Sequence, residues 1–171
     1  MTVLVTYASK HGSTEEIAER IAATLRRSGL DTDLQPVEAV RDVEPYTAVV
    51  LGSAIYYGSW LNEAREFVHR FETALAARPV WLFASGPLGV EVKDAEPQPK
   101  EFVEFQQSVS PRDPRVFFGA LDRSQLSFME RMVVKGIRAP EGDFRDWKAI
   151  EEWAESIARA LAPSERTAAQ L

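Results

Sequence analysis

Cysteine is absent from this chain. That excludes disulfides, protein thiol chemistry and cysteine-ligated iron–sulfur clusters. Any redox chemistry must come from a bound organic cofactor or a metal held by other ligands. Histidine is nearly absent as well. His11 and His69 form no recognisable metal motif, and His69 falls in a helical pattern as a surface or packing residue. No apolar run reaches membrane-spanning length, and no basic region with a signal core opens the chain, so the expected location is cytoplasmic. Basic charge is in short supply: 20 Lys and Arg against 26 Asp and Glu leave a formal net charge of −6, which argues against a general nucleic-acid binder. The glycines form neither G-x-G-x-x-G nor G-x-x-x-x-G-K-[ST], so the dinucleotide fingerprint and the Walker A loop are missing.

What is present is alternation of strand-like and helix-like runs over a length, 171 residues, suited to one domain with a proper core. Expected strands are Val3–Ala8, Asp31–Val37, Thr47–Gly52, Val80–Ala84 and Val116–Leu121. The third has no polar face, as expected when helices cover both sides of a sheet. Ile17, Ile21 and Leu25 mark the first helix; Leu61, Ala64, Val68, Phe71 and Leu75 mark one that Ser59 is expected to cap. Trp147, Ile150, Trp153, Ile157 and Leu161 form a last stripe. The pattern predicts an α/β fold: a three-layer, doubly wound, five-stranded parallel sheet of order 2-1-3-4-5 with right-handed crossovers. Between strands 4 and 5 lies an insertion, Ser85 to Arg115, rich in proline and with a helical middle at Glu101–Ser108. A connection this long usually carries function or mobility. The domain is expected to span 1–162, with 163–171 a frayed tail.

In such sheets ligands bind at the carboxyl ends of the strands, where three loops converge. Ser9, Lys10, His11, Gly12, Ser13 and Thr14 lie between the first strand and first helix. Unpaired N–H groups and the helix dipole favour an anion there, and the hydroxyls add donors. A second reading of the same residues is an ordinary capping box between Ser13 and Glu16. The second loop, Ala54, Ile55, Tyr56, Tyr57, Gly58, Ser59 and Trp60, sets three aromatics around a glycine. The third, Ser85, Gly86, Pro87, Leu88 and Gly89, offers backbone and little bulk. Together they suit a flat heteroaromatic phosphate ester. Tyr57 or Trp60 is the expected flank of its ring, unless they pack against the next helix. No side chain here is an obvious catalytic acid or base, and none is assigned that role.

These loops resemble those of the flavodoxin family: a hydroxyl-rich loop for the FMN phosphate and two loops for its ring. Gly52-Ser53-Ala54-Ile55-Tyr56-Tyr57-Gly58, the insertion before the last strand, Gly119-Ala120-Leu121, Glu130 to Lys135 and Asp146-Trp147 resemble more closely the branch that includes menaquinone-dependent protoporphyrinogen IX dehydrogenases. The likeness spans about residues 3 to 160 and implies FMN as cofactor and a quinone or similar electron acceptor. The chain departs from the pattern in three places. His11 replaces a small hydroxyl residue, Tyr56 stands where porphyrinogen-oxidising relatives carry Arg, and the third loop lacks the Tyr that shields the flavin in electron carriers.

Arg123 to Arg138 forms a basic amphipathic segment in an otherwise acidic chain, with Leu126, Met129, Val133 and Ile137 on one helical side. Such a helix packs on a core with its basic face solvated, or makes peripheral contact with an anionic membrane. The leading expectation is an FMN-dependent oxidoreductase taking electrons from a reduced organic substrate. The alternatives are a non-enzymatic electron carrier and a domain that binds no flavin.

Overall fold

The computed structural model describes residues 1–56, 58–86, 98–121, 124, 127–129, 131–132 and 142–163. Its main sheet holds five parallel strands: β1 (Thr2–Ala8), β2 (Asp31–Pro36), β3 (Ala48–Tyr56), β5 (Val80–Ser85) and β6 (Arg112–Phe117). They lie in the order β2-β1-β3-β5-β6, with β4 (Ser59–Trp60) folded back antiparallel on β3. Counting only the parallel strands, this is the expected order 2-1-3-4-5.

Alternation along the central strands builds two cores. Val3, Val5 and Tyr7 of β1, Ala48 and Val50 of β3, and Trp81 and Phe83 of β5 face one side. There they meet Ile17, Ile21 and Leu25 of α1 (Ser13–Arg27), and Ile150, Trp153 and Ile157 of α4 (Trp147–Leu161). Leu4, Val49, Leu51 and Leu82 face the other side. They meet Phe67 and Val68 of α2 (Asn62–Ala76), and Phe102 and Phe105 of α3 (Lys100–Ser108). Apolar residues on both faces are what a helix-covered parallel sheet requires.

Gly52 sits against the Phe83 ring of the first core. It is paired with Phe83, and a Cβ at Gly52 would fall 2.0 Å from Phe83 Cζ. The Phe83 ring occupies the space of the missing side chain. Its other contacts, Trp153 at 6.0 Å and Phe117 at 6.3 Å between centroids, leave it inside an aromatic cluster.

Four expectations about elements need correcting. The last parallel strand is Arg112–Phe117, not Val116–Leu121. It is an edge strand, where charge and proline are tolerated, so Arg112-Asp113-Pro114-Arg115 reads as a loop in sequence. Ala120–Leu121 forms a separate strand, β7, paired antiparallel with β8 (Gly142–Asp143). β3 runs on to Tyr56 and β4 takes Ser59 and Trp60, so five of the seven residues of the expected second loop are strand. Ser59 pairs with Tyr56 and does not cap α2, which starts after Leu61. The helical middle of the insertion is present as α3. Of the basic segment, residues 124, 127–129, 131 and 132 are described, and Arg131 N donates to Ser127 O at 2.9 Å, one helical turn. No helix among the described residues is long and apolar enough to cross a membrane.

Candidate functional site

β1 ends at Ala8, and the chain must then turn into α1. Ser9 Oγ accepts the Gly12 N–H at 3.1 Å, which closes the turn. Gly12 takes φ +86°, a left-handed conformation that glycine adopts without strain. The first helical hydrogen bond follows, from Glu16 N to Gly12 O at 3.0 Å. No side chain caps this helix. The capping box is therefore not formed. Ser13 Oγ instead accepts from Ala120 N at 3.0 Å, and the Glu16 carboxylate accepts from Arg145. The N–H groups of the first turn lack intrahelical acceptors by construction. Among the described residues, a Cβ built on Gly12 meets nothing within 4 Å.

The second loop is a tight hairpin. Ile55 pairs with Trp60 and Tyr56 with Ser59, and Gly58 turns the chain at φ +75°. Ser53 Oγ pins its base, accepting from Leu61 N at 3.0 Å and donating to Ala54 O at 2.9 Å. Trp60 is 3% exposed and meets Phe102 and Phe105 edge-on at 5.9 and 5.8 Å. It belongs to the second core, which corrects its assignment as a ring flank. Two apolar rings presented by α3 offer it more buried contact than the strand ends do. Tyr57 lies outside the described residues.

Ser85 closes β5, and Gly86, at φ +111°, donates its N–H to Phe117 O at 3.0 Å. Pro87, Leu88 and Gly89 lie outside the described residues.

The three loops touch one another. Lys10 Nζ is 5.2 Å from the Tyr56 ring centroid, joining the first to the second. The Cβ position at Gly86 is 3.7 Å from Ile55 Cβ, joining the second to the third. A Cβ at Gly119 would lie 3.3 Å from Ser85 Oγ and 3.7 Å from Ser13 Oγ, joining the third to the first. Gly119 and Ala120, which sequence reasoning placed in a strand, are thus the seam of the site. A side chain at Gly119 would need Ser85 Oγ to give by a few tenths of an ångström.

Charge around α1 is held in place. Its first turn carries Glu15 and Glu16. The Tyr7 hydroxyl donates to Glu15 Oε1 at 2.6 Å. Burial, followed by this bond and the Glu15 charge, holds the Tyr7 phenol well above its ordinary range. Arg145, absent from the sequence expectations, holds Glu16 and Asp143 together. Sequence alone gives no signal for it, since Glu16 and Arg145 are 129 residues apart.

An uncapped helix start with a glycine at its mouth fits a phosphate. Gly58, with no described residue within 4 Å of its Cβ position, and the touching loops fit a flat ring beside it. Residues 4–148 match a family model described as a flavodoxin domain. Protoporphyrinogen IX dehydrogenase (quinone) of Escherichia coli strain K12 is 26% identical over 172 residues, covering 92% of this chain and 95% of that protein. Oxidised flavodoxin 2 from Bacillus cereus superposes with a TM-score of 0.65 at 22% identity, over 94% of this chain and 100% of that one. Rubredoxin oxygen:oxidoreductase from Desulfovibrio gigas reaches 0.64 at 18% identity, over 94% of this chain and 36% of that one. With the family model taking in most of the chain and the three loops meeting at the strand ends, the chain belongs to the flavodoxin family, and FMN is the cofactor that membership assigns to it.

Proposed function

We propose that this chain is an FMN-dependent oxidoreductase that passes electrons from a reduced organic substrate to a quinone-like acceptor. The observation that carries the reading is the mutual contact of three strand-end loops around an α1 terminus that no side chain caps. Ser9, Lys10, His11, Gly12, Ser13 and Thr14 hold the phosphate, through N–H groups of the first helical turn and through hydroxyls. Ala54, Ile55, Tyr56, Tyr57 and Gly58 border one side of the ring, and Ser85, Gly86, Pro87, Leu88 and Gly89 the other. FMN, when bound, supplies hydride and electron chemistry. The protein contributes the orientation of the ring and the donors along its edge.

An enzyme is favoured over a carrier by two observations. A relative of nearly equal length bears the name of a quinone-dependent dehydrogenase. Trp60 is turned into the core, which leaves more of the ring's surroundings to substrate. The carrier reading keeps one observation of its own, the net charge of −6, which suits docking to a basic redox protein. Contact with an anionic membrane, where quinones reside, is part of the proposal. Phe128, Met129 and Met132 are 75%, 73% and 57% exposed beside Arg131, the pairing of apolar and basic residues that an interfacial helix uses.

The test is turnover by the FMN-loaded protein with protoporphyrinogen as donor and a menaquinone analogue as acceptor. Multiple turnovers dependent on both reactants support the proposal. No turnover with this pair removes the porphyrinogen version. Absence of turnover with any reduced organic donor, together with fast electron exchange with redox proteins, favours the carrier.

A further inference from the structure

Both carboxylates in the first turn of α1 are held by donors from outside the helix: Glu15 by Tyr7, Glu16 by Arg145. A helix N-terminus carries partial positive charge. A carboxylate left loose beside it competes with a bound anion for that charge and repels the anion directly.

Arg145 is built to prevent this at Glu16. It lies between β8 and α4. Its Nε and Nη2 donate to the two carboxylate oxygens of Asp143 at 2.8 and 2.6 Å. Its Nη1 donates to Glu16. The guanidinium lies 4.5 Å from the Trp147 ring centroid, and Arg20 lies 4.8 Å from that same ring. The Arg145 side chain is 9% exposed and the Glu16 side chain it holds is 57% exposed, so a buried cation reaches a carboxylate at the surface. Asp143 alone would satisfy the planar fork; the third arm, reaching across to α1, goes beyond what β8 needs.

We propose that Arg145 is a positioning residue for the FMN phosphate. By holding Glu16 in an ion pair on the β8 side of α1, it frees the helix terminus to accept a phosphate dianion. It thereby sets the preference for FMN over riboflavin, which has the same ring and no phosphate. The proposal rests on the FMN reading above.

Dissociation constants for FMN and riboflavin, read from quenching of flavin fluorescence, test it in the wild type, R145Q, R145K and the double variant E16Q/R145Q. R145Q weakens FMN about fivefold, the upper end for a charge at an exposed helix end, and leaves riboflavin within about twofold. Removing the loose carboxylate in E16Q/R145Q recovers most of the lost FMN affinity. R145K keeps the charge but not the fork that holds Asp143 and Glu16 together, so it restores only part of the FMN affinity lost in R145Q. Equal weakening of both flavins would mark a merely structural role. Unchanged FMN affinity in R145Q, or no recovery in the double variant, would equally overturn the proposal. Where riboflavin is too weak to measure, the FMN constants and their rescue decide. A wild type that binds neither flavin would instead remove the FMN reading, and the proposal with it.

Discussion

Gly52 and Gly12 show two opposite uses of a missing side chain. At Gly52 the space is filled, with three Phe83 ring atoms within 2.4 Å of where a Cβ would stand. At Gly12 no described residue comes within 4 Å of that position, and the backbone angle is what matters. Gly52→Ala must displace a ring already wedged against Trp153 and Phe117. We expect a loss of about 3 kcal/mol in urea-induced unfolding, at the upper end of ordinary overpacking. A change below about 0.5 kcal/mol, within the range of harmless surface substitutions, would show that the ring is free to move. The residue scale is also where the sequence was least legible. Ser13 and Glu16 have the spacing of a capping box, yet each bonds to a residue more than a hundred positions away. Local pattern cannot see partners that only tertiary folding supplies.

Among the elements, legibility follows burial. β1, β3 and β5 are apolar on both faces, and their periodicity announces them. β6 is a polar edge strand containing a proline, and its place is fixed by pairing with β5 and by Trp153 Nε1 donating to Asp113 O at 3.1 Å. Neither contact leaves a trace in local sequence. Trp60 is illegible for the same reason: its position in a loop-like run conceals the two phenylalanines of α3 that bury it. The convergence of the three loops was legible, because strand–helix alternation alone sets where the strand ends gather. The basic segment is the element whose role is tested most simply. Purified protein should sediment with vesicles containing anionic lipid and far less with zwitterionic ones, and the variant F128S/M129S/M132S should stay in the supernatant. Equal recovery of wild type and variant in the supernatant would remove the membrane contact.

At the scale of the whole molecule, a doubly wound sheet supplies the frame and three loops supply the site. A chain without cysteine needs a bound cofactor for redox chemistry, and the proposed place for it is the strand ends. The family membership, the uncapped α1 terminus and the contacts among the loops all bear on one property, the capacity to bind FMN. The most direct measurement is titration of the flavin-free protein with FMN, followed in the visible spectrum and in flavin fluorescence. The account predicts saturation at one FMN per chain, with quenched fluorescence and a shifted flavin absorption band. Protein that stays colourless and leaves FMN fluorescence unchanged would contradict it.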